Sequence, residues 1–230
     1  MSREDLCIAI VLVGMATGLL LAGGCEGGRE AAVIAERPAF EAPAPQPGLR
    51  EVAVLEVRDL GEIRVELLAE AAPDTVVHFK KLVEDGFYEG TTFHRVIPEF
   101  MIQGGDPNTR DRDPRNDGQG GPGYFIQDEV NETSHVRGVL SMANSGSPNS
   151  AGSQFFIVVE TSAHLDGRYS AFGLVVDGME VADRIAAAPR DLYGRHGPVD
   201  RPLEDVVIES IRIETPQTLG RAEAGPEEEA

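Results

Sequence analysis

The chain has 230 residues, 41% of them hydrophobic, and a formal net charge of -19. That length holds one domain of roughly 150 to 170 residues with extensions, and not two full domains. The charge excludes a nucleic-acid binder, because displacing counterions from a phosphate backbone takes a basic stripe, and Lys80 and Lys81 are the only lysines.

The chain begins with one early positive charge, Arg3, then the run LCIAIVLVGMATGLLLAGG, then Cys25. A charged start followed by an apolar run predicts an export signal over 1–24. An uncleaved membrane helix is the alternative, since about 19 apolar residues just span a bilayer, but small residues crowd against the cysteine. The ending LAGGC resembles the lipobox of bacterial lipoprotein signal peptides, with Glu4, Asp5 and Ala22 departing from that pattern. The resemblance implies cleavage before Cys25, lipidation of Cys25 and a membrane anchor on the exported side of the cytoplasmic membrane. Cys7 lies inside the signal, so a mature chain keeps one cysteine and forms no internal disulfide. Residues 25–50 (RPAFEAPAPQPG and its flanks) lack apolar periodicity and read as a tether, with a maximal reach of roughly 80 Å. The acidic, Pro/Gly-punctuated end, 215–230, reads as a disordered tail.

Between them lies the domain, 51–214. EVAVLEVRD and GEIRVELLAE alternate like two antiparallel strands joined at Leu60-Gly61. Pro73-Asp74-Thr75 starts a helix whose stripe is Val76, Phe79, Leu82 and Val83, and Gly86 stops it. FHRVIPEFMIQGGDP reads as a hairpin turning at Pro98-Glu99. Period-two alternation puts Phe93, Arg95 and Ile97 on one face of the first strand, and Met101, Gln103 and Gly105 on one face of the second, so that Arg95 can meet Gln103 across the hairpin. A Gly/Asp/Pro loop runs from Gly104 to Gly123. The strand-like runs GVLSMAN, SQFFIVVE and SAFGLVVDG follow, then a helix, MEVADRIAAA, and a last strand, DVVIESIRIE. In SQFFIVVE, Gln154 and Phe156 share one face while Phe155 and Ile157 share the other. Many short strands with only two helices predict a mainly β domain, a closed antiparallel barrel or a sandwich.

Four stretches, FHRVIPEFMIQGGDP, GQGGPGYFIQDE, GVLSMANSGSPNSAGSQFFI and HLDGRYSAFGLVVDGMEVADRI, together resemble the cyclophilins, a family of peptidyl-prolyl cis/trans isomerases. The resemblance covers about Glu51 to Glu214. It implies a closed eight-stranded antiparallel β-barrel capped by two helices, with a substrate groove on the outer face. It also implies that Arg95 is the catalytic residue and that Gln103 orients it. Phe100, Met101, Phe156 and Leu165 are then the proline pocket. Ala143 and Asn144 bind the preceding residue through main-chain groups, Gln154 stands nearby, and the glycines Gly118, Gly120 and Gly121 let a peptide approach. His164 and Tyr169 border the groove, where many members carry Trp and His.

The implied substrates are flexible, proline-containing polypeptides, and the protein is expected to act as a monomer without cofactor or metal, in folding assistance to exported clients. The alternative is a non-catalytic proline-peptide-binding module on the same fold. Other patterns fail: in DRDPRNDG, Arg115 falls where a calcium loop needs an oxygen ligand, the histidines lack metal-ligand spacing, and no G-x-S-x-G elbow is present.

Overall fold

A computed structural model describes residues 51–215. The expected signal, Cys25, the tether and nearly all of the tail lie outside the described residues. The first two runs form β1 (Val52–Val57) and β2 (Gly61–Leu67), paired antiparallel from Val52↔Glu66 to Val57↔Gly61. Helix α1 (Pro73–Glu84) buries Thr75, Val76, His78, Phe79 and Leu82. It stops where Gly86, at φ 66°, turns the chain so that Phe87 N–H reaches Leu82 O at 2.9 Å.

The hairpin is β3 (Arg95–Ile97) and β4 (Met101–Gly104), followed by short 3-10 turns at Pro107–Arg110 and Pro114–Asn116. Then come β5 (Val139–Met142), β6 (Phe155–Val158), β7 (Ala171–Asp177) and helix α2 (Met179–Ala186). The chain adds a two-residue pair that periodicity does not reveal, β8 (Arg190–Asp191) with β9 (Arg201–Pro202), before β10 (Ile208–Glu214).

Eight strands make one antiparallel sheet in the order β10-β1-β2-β7-β5-β6-β4-β3. The edge strands β10 and β3 do not pair as a ladder. The residues just before each of them meet instead, through the bridge Thr92↔Val207 and the bond from Phe93 N–H to Val206 O at 3.0 Å. The expected eight-stranded antiparallel sheet with two helices is present, and this narrow seam stands where full barrel pairing was expected.

Alternation divides the apolar side chains between two clusters. Ile102, Leu140, Phe155 and Ile157 point inward with Phe79, Phe93 and Phe172, where each fully buried large side chain contributes about 1.5–3 kcal/mol. The opposite face of the same strands carries a smaller cluster, Met101, Val139, Phe156, Val158, Leu165 and Ala171, edged by Ile97, Phe100, Ala143 and Tyr169. Phe93 corrects the sequence reading. It is fully buried in the first cluster with its ring 6.3 Å from Phe155, because regular strand begins only at Arg95 and Phe93 and His94 both lie outside it. The shared face holds for Arg95 and Ile97 alone.

Candidate active site

The site grows from one row across four strands. Arg95 on β3 faces Gln103 on β4, Gln103 faces Phe156 on β6, and Phe156 faces Ser141 on β5. Cross-strand partners share a face, so the row sets a cation, an amide and an aromatic ring side by side on the outer cluster.

Hydrogen bonds fix the direction of the polar end. Arg95 Nη1 lies 3.5 Å from Gln103 Oε1, the long limit of a hydrogen bond, as is common before a ligand tightens a site. Gln103 Nε2 donates to Gln154 Oε1 at 3.0 Å, Gln154 Nε2 donates to Gly120 O at 2.9 Å, and Gly120 N–H donates to Asp106 Oδ2 at 3.2 Å. Asp106 is fully buried and also accepts from Asn108 N–H at 2.8 Å. Only glycine fits at position 120, since a Cβ there would lie 2.1 Å from Asp106 Oδ1. The rest of the Arg95 guanidinium is uncommitted: among the described residues it forms no ion pair and no other hydrogen bond.

Beside it lies a pocket of about 290 Å3 lined by His94, Arg95, Phe100, Met101, Phe156, Leu165 and Tyr169, among others. A second depression of about 480 Å3 shares Gln103, Gly118, Ala143 and Asn144 with the first and extends toward Gly121, Tyr124 and Phe125. Every groove residue read from the sequence except His164 lines one of the two. His164 stands behind Phe100, ring centroids 5.3 Å apart. Ala143 N–H donates to Gln154 O at 2.8 Å, while the main-chain groups of Asn144 make no bond among the described residues.

Two histidines escaped the sequence reading. His94 is 2% exposed, and neither ring nitrogen has a hydrogen-bond partner among the described residues. Burial pushes it down to about 4 from 6.5. Asp106 and the polar groups of Thr92 and Gln154 offset part of that shift without reaching hydrogen-bond geometry, and neighbouring Arg95 adds to it.

His135 sits under the pocket. Its backbone N–H and Nδ1 both contact Asp166 Oδ1, at 2.7 and 2.9 Å, its Nε2 lies 3.0 Å from Ser141 Oγ, and its ring stacks on Phe156 at 6.0 Å. The bond from its backbone, then that from its ring, hold Asp166 below the usual carboxylate range. The bonding pattern is that of a Ser-His-Asp triad, yet Ser141 is fully buried and no substrate carbonyl can reach it. The group instead ties the Leu165–Tyr169 wall to the pocket floor. No local motif links His135 and Asp166, because their partnership is purely spatial. Asp106 does lie within a motif, GGDP, but its role shows only once Gly120 folds onto it.

The family model described as cyclophilin type peptidyl-prolyl cis-trans isomerase/CLD matches residues 52–213. The peptidyl-prolyl cis-trans isomerase of Synechococcus elongatus is 50% identical over 125 residues, 54% of this chain and 80% of that protein. Peptidyl-prolyl cis-trans isomerase B of Bacillus subtilis is 47% identical over 132 residues, 56% of this chain and 87% of that protein. A crystal structure of a Cryptosporidium parvum cyclophilin type peptidyl-prolyl cis-trans isomerase, in the presence of the dipeptide Ala-Pro, aligns with TM-score 0.62 and 32% identity, covering 71% of this chain and 98% of that one.

Proposed function

The chain belongs to the cyclophilin-type peptidyl-prolyl cis-trans isomerases, and from that premise we propose that it isomerises X-Pro bonds in exported client proteins, with Arg95 as the catalytic group. A peptide bond resists twisting by about 18–20 kcal/mol because the nitrogen lone pair is delocalised into the carbonyl. The cis and trans forms of X-Pro lie close in energy but exchange in tens to hundreds of seconds. The catalyst must therefore bind the twisted amide better than either planar form. At the twisted geometry the proline nitrogen regains its lone pair and accepts a hydrogen bond, so a fixed donor aimed there gains its bond mainly in the transition state.

The observation that carries this reading is the uncommitted Arg95 guanidinium, oriented through Gln103 and set beside an apolar pocket floored by Phe156. The proline ring enters among Phe100, Met101, Phe156 and Leu165, the residue before it lies on the main chain of Ala143 and Asn144, and Gln103 and Gln154 hold the arginine. No bond breaks, so no cofactor takes part. The related structure solved with Ala-Pro supports a proline-peptide ligand. One chain supplies the whole groove, which supports action as a monomer.

The test is exchange NMR of an X-Pro peptide with Arg95→Ala and Arg95→Lys. Loss of one such donor costs about 100- to 1000-fold in turnover, so Arg95→Ala should lose that much with KM little moved, and Lys should recover little because a point charge lacks the guanidinium fork. Loss of peptide affinity in parallel with turnover would favour the binding module instead.

The place of action rests on sequence: signal 1–24, lipidation at Cys25, and the 25–50 tether holding the domain off a membrane on the exported side. Among the described residues no helix is long and apolar enough to cross a membrane.

A further inference from the structure

Single exposed apolar side chains are ordinary, whereas a cluster at the rim of a binding groove marks contact with a partner. Among the described residues, four of the large exposed ones, Leu192 (53%), Tyr193 (74%), Val199 (53%) and Leu203 (55%), lie within the single segment 190–203. The same segment supplies Pro198 to the lining of the pocket that holds Arg95 and Phe156, and to no part of the second depression.

The segment is held firmly at its base. β8 pairs with β9, Arg190 Nε bonds Asp200 Oδ1 at 3.0 Å, and Val96 N–H on β3 reaches Asp200 O at 2.9 Å. Arg201 Nε bonds Asp117 Oδ2 at 2.7 Å, and Asp117 also lines the pocket. Asp191 accepts from the N–H groups of Tyr193 and His196, which folds the tip into a compact turn. Gly194, at φ 65°, lies beside Val199, where a Cβ would stand in ordinary contact with Val199 Cγ2 at 3.5 Å. Arg195 lies over the Tyr193 ring at 5.0 Å and makes no ion pair among the described residues. Pro198 lines the pocket, its neighbour Val199 is exposed, and Tyr193 is exposed on the same short segment.

The direction of the substrate follows from the isomerase reading, in which Ala143 and Asn144 hold the residue before the proline. The residues before the proline lie along Ala143 and Asn144, on the side shared with the second depression. The residues after it leave on the other side, over Pro198. We propose that the Leu192–Val199 strap is a docking shelf for the substrate segment that follows the proline, and that it selects unfolded chains with a large apolar residue a few positions beyond that proline. The inference rests on the isomerase reading. An exposed chain in search of its fold offers such residues, and Val199 and Tyr193 give them apolar area to cover. The free charge of Arg195 disfavours basic residues there.

The test uses the full chain and its Tyr193→Ser/Val199→Ser double variant, both substitutions being on exposed side chains outside the pocket lining. Three peptides share one X-Pro bond: one ends just after the proline, one continues with Leu-Phe, and one continues with Ser-Gly to control for length. Exchange NMR gives kcat/KM for each. The intact protein should favour the Leu-Phe peptide over both others by about tenfold, the effect expected from covering several tens of Å2 of apolar surface. The double variant should lose that preference and turn over the shortest peptide as the intact protein does. Equal kcat/KM for the three peptides, or a preference that survives in the double variant, overturns the shelf. No turnover of any peptide by the intact protein would remove the isomerase reading and the shelf with it.

Discussion

Acid should destabilise this domain partly through His94. In the unfolded chain that imidazole binds a proton near 6.5, whereas burial at 2% exposure holds it to about 4 in the folded protein. Between those values the unfolded chain binds more protons, so the contribution is fully present above about pH 6.5 and is lost as pH falls through that window toward 4. Each unit between the two is worth about 1.4 kcal/mol, so the whole window is worth about 3 kcal/mol. Among the described residues neither ring nitrogen has a hydrogen-bond partner, Asp106 offsets only part of the burial penalty, and Arg95 adds a like charge. The assay is urea denaturation of the intact protein and of His94→Gln at several pH values from about 7.5 down to about 4.5. Carboxylates and His78, itself lowered chiefly by burial, titrate in both proteins and cancel in the difference. The stability of the intact protein relative to the variant should therefore fall with acid, with a slope approaching 1.4 kcal/mol per pH unit at its steepest. A difference that stays flat across the range would refute the burial argument.

Gly120→Ala should break the relay that ends at Arg95, because its Cβ would meet Asp106 Oδ1 and Asn108 Cγ at 2.1 and 2.9 Å; kcat should fall about tenfold or more with a smaller change in KM, measured by the same exchange assay. The resemblance implies that members with Trp at the position of His164 bind the bulky cyclic inhibitor cyclosporin through that indole, so His164→Trp should strengthen cyclosporin inhibition about fivefold, or about 1 kcal/mol, by widening the apolar face beside Phe100, with peptide turnover nearly unchanged; inhibition curves that coincide would show that this wall does not meet the inhibitor. Under the proposed anchor, Cys25→Ser should block acylation and give a soluble or uncleaved form with isomerase activity intact, since stable anchoring takes more than one chain and the variant carries none; membrane retention at full precursor length would point to an uncleaved helix.

Local period alone is enough for the pieces of this fold. Side chains alternate in any extended chain and recur every 3.6 residues in any helix, so the pairing of β1 with β2, the buried stripe of α1 and the meeting of Arg95 with Gln103 are all legible in the sequence and all present. The split of Phe155 and Phe156 between two clusters follows from the same rule. Period fails where the strand stops: Phe93 goes inward because regular strand begins only at Arg95. It is silent on neighbours, so nothing in the local pattern says that β4 lies against β6 or that β5 lies between β6 and β7. The relay through Asp106, Gly120 and Gln154, the tie from His135 to Asp166 and the strap carrying Pro198 all join residues from separate parts of the chain. Their partnerships exist only after packing has chosen which distant strands and loops touch, because hydrogen bonds of about 3 Å are decided by the relative placement of elements and not by the preferences of any one of them.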